Sequence, residues 1–181
     1  MILSDSELVE MLREPRTRRE GFAVLVKQYS EKLYWKVRRI VLSHEDANDV
    51  LQNVFIKVWS NLQNFQGKSS LSTWLYRIAI NESLDFLRKQ KLADKVSADE
   101  DVYVASRLMS DEYFDGDEVQ ARLQEAVARL PEVQRTVFNL KYFEEMKYSE
   151  ISQILNTSEG ALKASYHLAV KKITEYLHLF D

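Results

Sequence analysis

From Phe22 onward apolar residues return at intervals of three and four. Phe22, Leu25, Val26, Tyr29, Leu33 and Val37 make one stripe that stops near Leu42, ahead of "SHED". That period belongs to a helix with one buried face. Ser43 is placed to cap a second helix, with Asp46 three residues further on in the manner of a capping box. This second stripe is the cleanest in the chain: Ala47, Val50, Leu51, Val54, Phe55, Val58, Trp59 and Leu62. It puts Phe55 and Trp59 with the core and leaves Asp46, Asp49, Gln52, Asn53 and Lys57 outside.

"NFQGKSSLST", Asn64 to Thr73, breaks the pattern with a glycine and a cluster of hydroxyl residues, so it reads as a loop. A third helix follows from about Trp74 to Gln90. At about 100° per residue, Leu75, Ala79, Glu82 and Phe86 share one side, and Trp74, Arg77, Asn81 and Arg88 share the opposite side. Two arginines, an amide and an indole therefore form one outward row.

Between Leu92 and Glu118 the apolar period fades and acidic residues take over in "SADED" and "DEYFDGDE", which predicts a flexible connector. A helix over Val119–Leu130 and one opened by Pro131 and running to about Tyr142 come next. The stretch "YSEISQILNTSEGALKASYHLAVKKI" then carries two helical stripes interrupted by Asn156, Thr157 and Ser158. Tyr148, Ile151, Ile154 and Leu155 face inward in the first stripe. Ser158 caps the second, and Glu159 adds favourable charge to its first turn. In that second helix Leu162, Ser165, Tyr166, Ala169, Ile173 and Tyr176 lie on one side, with Gly160, Lys163, Ala164, His167 and Lys171 on the other. Two helices joined by so short a turn form a helix-turn-helix, whose second helix enters a DNA major groove when its exposed face is slim and cationic.

Composition narrows the class. With 4 Gly and 2 Pro in 181 residues the chain has little material for hairpins, and an all-α fold of two small modules is expected. The absence of cysteine removes disulfides, thiolate metal sites and cysteine nucleophiles. His44, His167 and His178 are too scattered for a metal site, and "GKSS" lacks the glycine spacing of a phosphate-binding loop, so neither metal nor cofactor is expected. No apolar run approaches a membrane span, and "MILSDSELVEM" has neither a basic start nor an apolar signal core, which places the chain in the cytoplasm. The net charge of −3 hides a division: residues 1–91 hold 15 basic against 11 acidic side chains, residues 92–118 hold 2 against 9, and residues 119–181 hold 8 against 8. The expected modules are therefore 1–91 and 119–181, joined by the acidic segment 92–118. That segment of 27 residues (118 − 92 + 1) spans up to about 90 Å when extended.

Taken in order, three segments resemble the extracytoplasmic-function group of sigma factors, small sigma-70-type subunits of bacterial RNA polymerase. "DANDVLQNVFIKVW" looks like the segment that docks on core polymerase, "FQGKSSLSTWLYRIAINESLDFLR" like the one that melts and reads the −10 element, and "LPEVQRTVFNLKYFEEMKYSEISQILNTSEGALKASYHLAVKKI" like the −35 reader. The resemblance implies a polymerase-binding surface at Asp46, Asp49, Gln52, Asn53 and Phe55, toward the beta and beta-prime subunits. For −10 DNA it implies Phe65, Lys68, Ser69, Trp74, Arg77, Asn81 and Arg88, and for −35 DNA it implies Ser158, Glu159, Gly160, Lys163, Ala164, His167, Lys171 and Lys172. Its implied partners are core polymerase, promoter DNA and, where one exists, an anti-sigma factor. Ser165 and Leu168 depart from the family, which often carries arginine there. Two other functions suit the same pattern: a helix-turn-helix regulator that works without polymerase, and a helical protein-interaction adaptor.

Overall fold

The computed structural model describes residues 2–93 and 118–180. Among them the chain is helical and holds no strand, and it separates into an N-terminal and a C-terminal unit.

In the N-terminal unit, α1 (Asp5–Arg13) begins at a Ser4–Glu7 capping box that satisfies donors on both sides of the helix start. This helix buries only Leu8 and Leu12, too short a stripe to stand out in the sequence. Helix α2 (Arg18–Val41) follows and ends where Leu42 takes a left-handed conformation at φ 67°. Helix α3 (His44–Asn61) starts at Ser43, whose hydroxyl accepts from the Asp46 N–H at 3.3 Å. Helix α4 (Leu71–Ala93) is longer than the stripe suggests, by three residues at each end. Leu92 and Ala93 thus belong to its last turn, Glu118 opens the next helix, and the expected connector between them, 94–117, lies outside the described residues.

Helix α2 is the centre of this unit. It packs on α1, α3 and α4, and Leu25, Tyr29, Leu33 and Val37 are buried along it. Helix α3 contributes Ala47, Val50, Val54 and Val58, and α4 contributes Leu71, Leu75, Ala79, Ile80, Ser83, Leu84 and Leu87. Lys57 of α3 and Glu82 of α4 form an ion pair, which accounts for an acid on the inner side of α4. Helices α1 and α2 come close at Gly21, where a Cβ would stand 2.8 Å from Met11 Cβ.

The C-terminal unit contains α5 (Glu118–Ala128), α6 (Glu132–Phe138), α7 (Tyr148–Leu155) and α8 (Glu159–Leu177). Pro131 is the cap of α6, one residue before the first helical position expected for it. Helix α6 widens into a π turn over Asn139–Phe143, which the apolar period does not reveal. The rings of Tyr142 and Phe138 stack at 5.1 Å, and those of Phe138 and Tyr166 at 5.7 Å, tying the π turn to α8. Ala126, Val127, Leu130, Phe138, Ala169 and Ile173 form the core.

Two glycines give a paired test of this packing. Gly21→Ala forces a Cβ against Met11 and is expected to destabilise the N-terminal unit by about 1–3 kcal/mol. Gly160→Ala meets nothing within 4 Å and is expected to be neutral or to stabilise by up to about 1 kcal/mol. Denaturant unfolding of both variants measures the difference in sign.

Candidate functional surfaces

The outer face of α3 is where a partner finds polar groups on a rigid support. Asp49, Gln52 and Asn53 are exposed, and Asp46 is half-buried one turn nearer the helix start. Burial is the main cause that lifts the Asp46 carboxyl above its ordinary range; the bond to Ser43 opposes it, Asp49 and Glu45 add to it, and Arg38 draws it back down. An ionised Asp46 is thus held at a cost that a cationic partner would relieve. The aromatic residues of this helix divide. Phe55 is half-buried with its ring edge-on to Phe22 at 6.4 Å. Trp59, expected with the core, keeps its ring 4.9 Å from Phe22 yet stays 42% exposed, because it sits at the margin of the stripe. Ile56, which sequence reasoning passed over, is 63% exposed between Asn53 and Trp59 on the outer side. An isoleucine out of phase with the stripe was the available signal. Carboxylates and amides around an exposed apolar centre suit a protein partner.

The loop before α4 carries the second surface. The rings of Phe65 and Trp74 lie 5.1 Å apart at 48°, both half-buried, so the indole sits on a platform at the top of the outward row of α4. Gly67 turns the loop with φ +70°, where a side chain would strain the backbone. The Ser70 hydroxyl accepts from the Thr73 N–H at 3.1 Å and so helps close the first turn of α4. Lys68, Arg77, Asn81 and Arg88 are exposed and Ser69 is half-buried. Arg88 also meets Asp85 at 2.9 Å, an exposed pair of small energetic value that leaves the guanidinium accessible. Cations and an amide beside an aromatic platform are the groups that hold an unstacked base and its phosphate.

The third surface lies on α8. Asn156 ends α7 in the left-handed region, at φ 49° and ψ 48°. Ser158 then caps α8 by accepting from the Ala161 N–H at 3.3 Å. Leu162, Ala169 and Ile173 are buried, while Glu159, Gly160, Lys163, Ala164, His167, Lys171 and Lys172 are exposed, so the division of faces expected from the sequence holds. Lys163 Nζ lies 5.7 Å from the centre of the Tyr148 ring, and Lys141 Nζ lies 4.9 Å from the same ring. Tyr148, expected only as an inward packing residue, therefore also steadies the Lys163 ammonium across the turn. Lys171 is 3.9 Å from Glu175, an exposed pair on the same helix. Beside these groups Leu168 is 46% exposed, an apolar side chain on a face of cations.

These surfaces fall in segments with known counterparts. Residues 25–93 match the family described as Sigma-70 region 2, and residues 120–173 match that described as Sigma-70, region 4. The chain is 33% identical over 157 residues to the ECF RNA polymerase sigma factor SigW of Bacillus subtilis, covering 82% of this chain and 84% of that one. It is 31% identical over 182 aligned positions to the RNA polymerase sigma-H factor of Pseudomonas aeruginosa, covering 96% and 93%. Its fold resembles that of the sigma factor RpoE in complex with the anti-sigma factor NepR from Bartonella quintana, with a TM-score of 0.64, 19% identity, and coverage of 88% and 98%. Among the described residues no helix is long and apolar enough to cross a membrane.

The raised carboxyl of Asp46 has a consequence for pH. A folded-state pKa above the unfolded one contributes stability that is full in acid, below the unfolded pKa, and is lost as pH rises through the folded value. Asp46→Asn is therefore expected to raise the unfolding midpoint near neutral pH and to lose that advantage below the carboxylate range. Thermal melts of the two proteins across pH check it, and a gain that persists in acid contradicts the electrostatic cause.

Proposed function

We infer the function from one premise: the chain belongs to the extracytoplasmic-function sigma factors, the small members of the sigma-70 family. It is an RNA polymerase sigma factor that binds core polymerase, directs it to promoters and helps open them. The observation that carries this reading is the order of two family segments along one chain, region 2 before region 4. It works in the cytoplasm, and an anti-sigma factor is a further partner that family membership allows.

The residue roles follow from the surfaces. The face of α3 with Asp46, Asp49, Gln52 and Asn53, with Phe55 at its edge and Ile56 at its centre, docks on core polymerase. The loop from Phe65 to Ser70 and the row Trp74, Arg77, Asn81 and Arg88 take the −10 element. Opening a duplex costs a few kcal/mol per unstacked step. A catalytic group is not required for this, because stacking on Trp74, hydrogen bonds to Asn81 and phosphate contacts to Arg77, Arg88 and Lys68 offset that cost once polymerase holds the complex. Residues 119–181 read the −35 element, with α8 in the major groove, Ser158 and the Gly160 backbone at its capped start facing a phosphate and the Glu159 carboxylate turned to a base amine. The open space around Gly160 lets the DNA backbone come close. Lys163, Ala164 and His167 reach base edges, and Lys171 and Lys172 hold phosphates. The acidic segment between the modules keeps the free protein from binding DNA strongly and permits the modules to take positions set by polymerase.

Three substitutions on two surfaces separate these roles. Asp49→Lys reverses charge on an exposed position and is expected to cut core polymerase affinity while circular dichroism stays unchanged. Trp74→Ala is expected to leave core binding intact and to diminish the permanganate-reactive bubble at the −10 element. An unchanged pull-down in the first case, or an undiminished bubble in the second, refutes the corresponding assignment. Asn81→Ala is expected to behave as Trp74→Ala does.

On α8 the two kinds of lysine differ in kind of loss. Lys163→Ala is expected to cost about 1–3 kcal/mol at a base that it reads. Lys172→Ala is expected to weaken all sequences alike and to reduce the salt slope of binding by about one unit. Holoenzyme affinity for matched and scrambled −35 sequences over a salt series measures both.

A further inference from the structure

We propose that Asp5, in the helix that precedes the matched family segment, is a positioning residue for the strand-opening loop, acting on it through the first turn of α4. The inference rests on the assignment of −10 recognition to that loop and row. Residues 2–24 lie before the match to region 2, which begins at residue 25. Yet α1 is closely fitted into the unit. Leu8 and Leu12 are buried, and the Gln28 side chain both donates to the Leu3 carbonyl at 2.9 Å and accepts from the Leu3 N–H at 3.1 Å. Arg18 Nε donates to the Leu12 carbonyl at 3.0 Å, and Gly21 admits the Met11 side chain.

From this fixed base the Asp5 carboxylate reaches in two directions. One oxygen accepts from the buried Tyr29 hydroxyl of α2, and the other accepts from the Ser72 backbone N–H of α4 at 3.4 Å. The first N–H groups of a helix have no partner within it and carry partial positive charge. Helix α4 has no acidic residue of its own in its first turn, so Asp5 supplies the anion from 67 residues away in sequence. Tyr29 keeps its proton, since burial above all and then Asp5 push its hydroxyl upward, and it therefore orients the carboxylate as a steady donor.

The far end of α1 meets the same loop. An Arg13 guanidinium nitrogen lies 3.6 Å from where a Cβ on Gly67 would sit. Both ends of α1 thus touch the segment between Phe65 and Trp74, one at its glycine turn and one at its entry into α4. A bond of 3.4 Å to a partly exposed group adds little to stability. Its effect is directional: it sets the angle at which the first turn of α4 presents Trp74, while the polymerase-docking face belongs to a different helix.

Asp5→Ala tests this directly. Alanine removes the acceptors of both the Tyr29 hydroxyl and the Ser72 N–H together with the anion at the first turn of α4, whereas asparagine, with its amide turned, satisfies both by accepting from the Ser72 N–H and donating to the Tyr29 oxygen. Holoenzyme carrying the variant is expected to bind a single-stranded −10 oligonucleotide about five- to tenfold more weakly. Core polymerase affinity and binding to duplex −35 DNA are expected to stay within about twofold of the unsubstituted protein. Gln28→Ala, which loosens the start of α1 that carries Asp5 while leaving the carboxylate in place, is expected to weaken single-strand affinity in the same direction but by less than Asp5→Ala. Single-strand affinity unaltered by Asp5→Ala overturns the proposal. So does a parallel fall in core affinity, which marks a general loss of fold. If Trp74→Ala also leaves single-strand affinity unaltered, the −10 assignment itself fails, and that outcome is distinct from failure at Asp5 alone.

Discussion

A small helical module can bury only one stripe of most of its helices, and every surface proposed to act in this chain follows from that constraint. In the N-terminal unit α2 packs on three neighbours, so α3 and α4 bury one stripe each and keep the opposite side exposed. What lies on those outer sides is not a random polar covering. Helix α3 shows carboxylates and amides around Ile56, whereas α4 shows arginines and Asn81 below Trp74. One module thereby presents the two chemistries proposed for polymerase and for DNA on two helices, each oriented by its burial against α2.

The C-terminal unit meets the constraint with a break in place of a longer helix. Had α7 run on through Asn156, its stripe of Ile151 and Leu155 would continue in phase and α8 could not fold back over α5 and α6. The left-handed Asn156 stops one helix and the Ser158 hydroxyl starts the next at a new angle. Ala169 and Ile173 then reach the core while Gly160, Lys163 and His167 remain outside. The turn is therefore the origin of the exposed face proposed to read DNA, and the small residues on that face leave it slim.

Much of this was legible in the sequence because period and capping are local. The stripe from Ala47 to Val58 and the Ser43 and Ser158 caps recur in the structure at the expected residues. The outward row of Arg77, Asn81 and Arg88 does too. What escaped depends on contacts between distant residues. Helix α1 has only two buried leucines, and its fit is visible through contacts of Gly21, Gln28, Arg18 and Asp5. The π turn after Phe138 is a local widening beside the stack of Phe138 on Tyr166, and no apolar period encodes it. The exposure of Trp59 reflects where the edge of a stripe falls, which a residue list places only to within one turn, whereas Ile56 lies outside the stripe altogether.

The central claim is that these surfaces act together on one enzyme at defined DNA sites. Its most direct test is run-off transcription from a bacterial genomic library with core RNA polymerase, with and without this chain. The account predicts transcripts that start at a limited set of positions only when the chain is present, each preceded by a shared pair of −35 and −10 sequences. Initiation that is unchanged by the chain, or stimulated without any common upstream sequence, would contradict it.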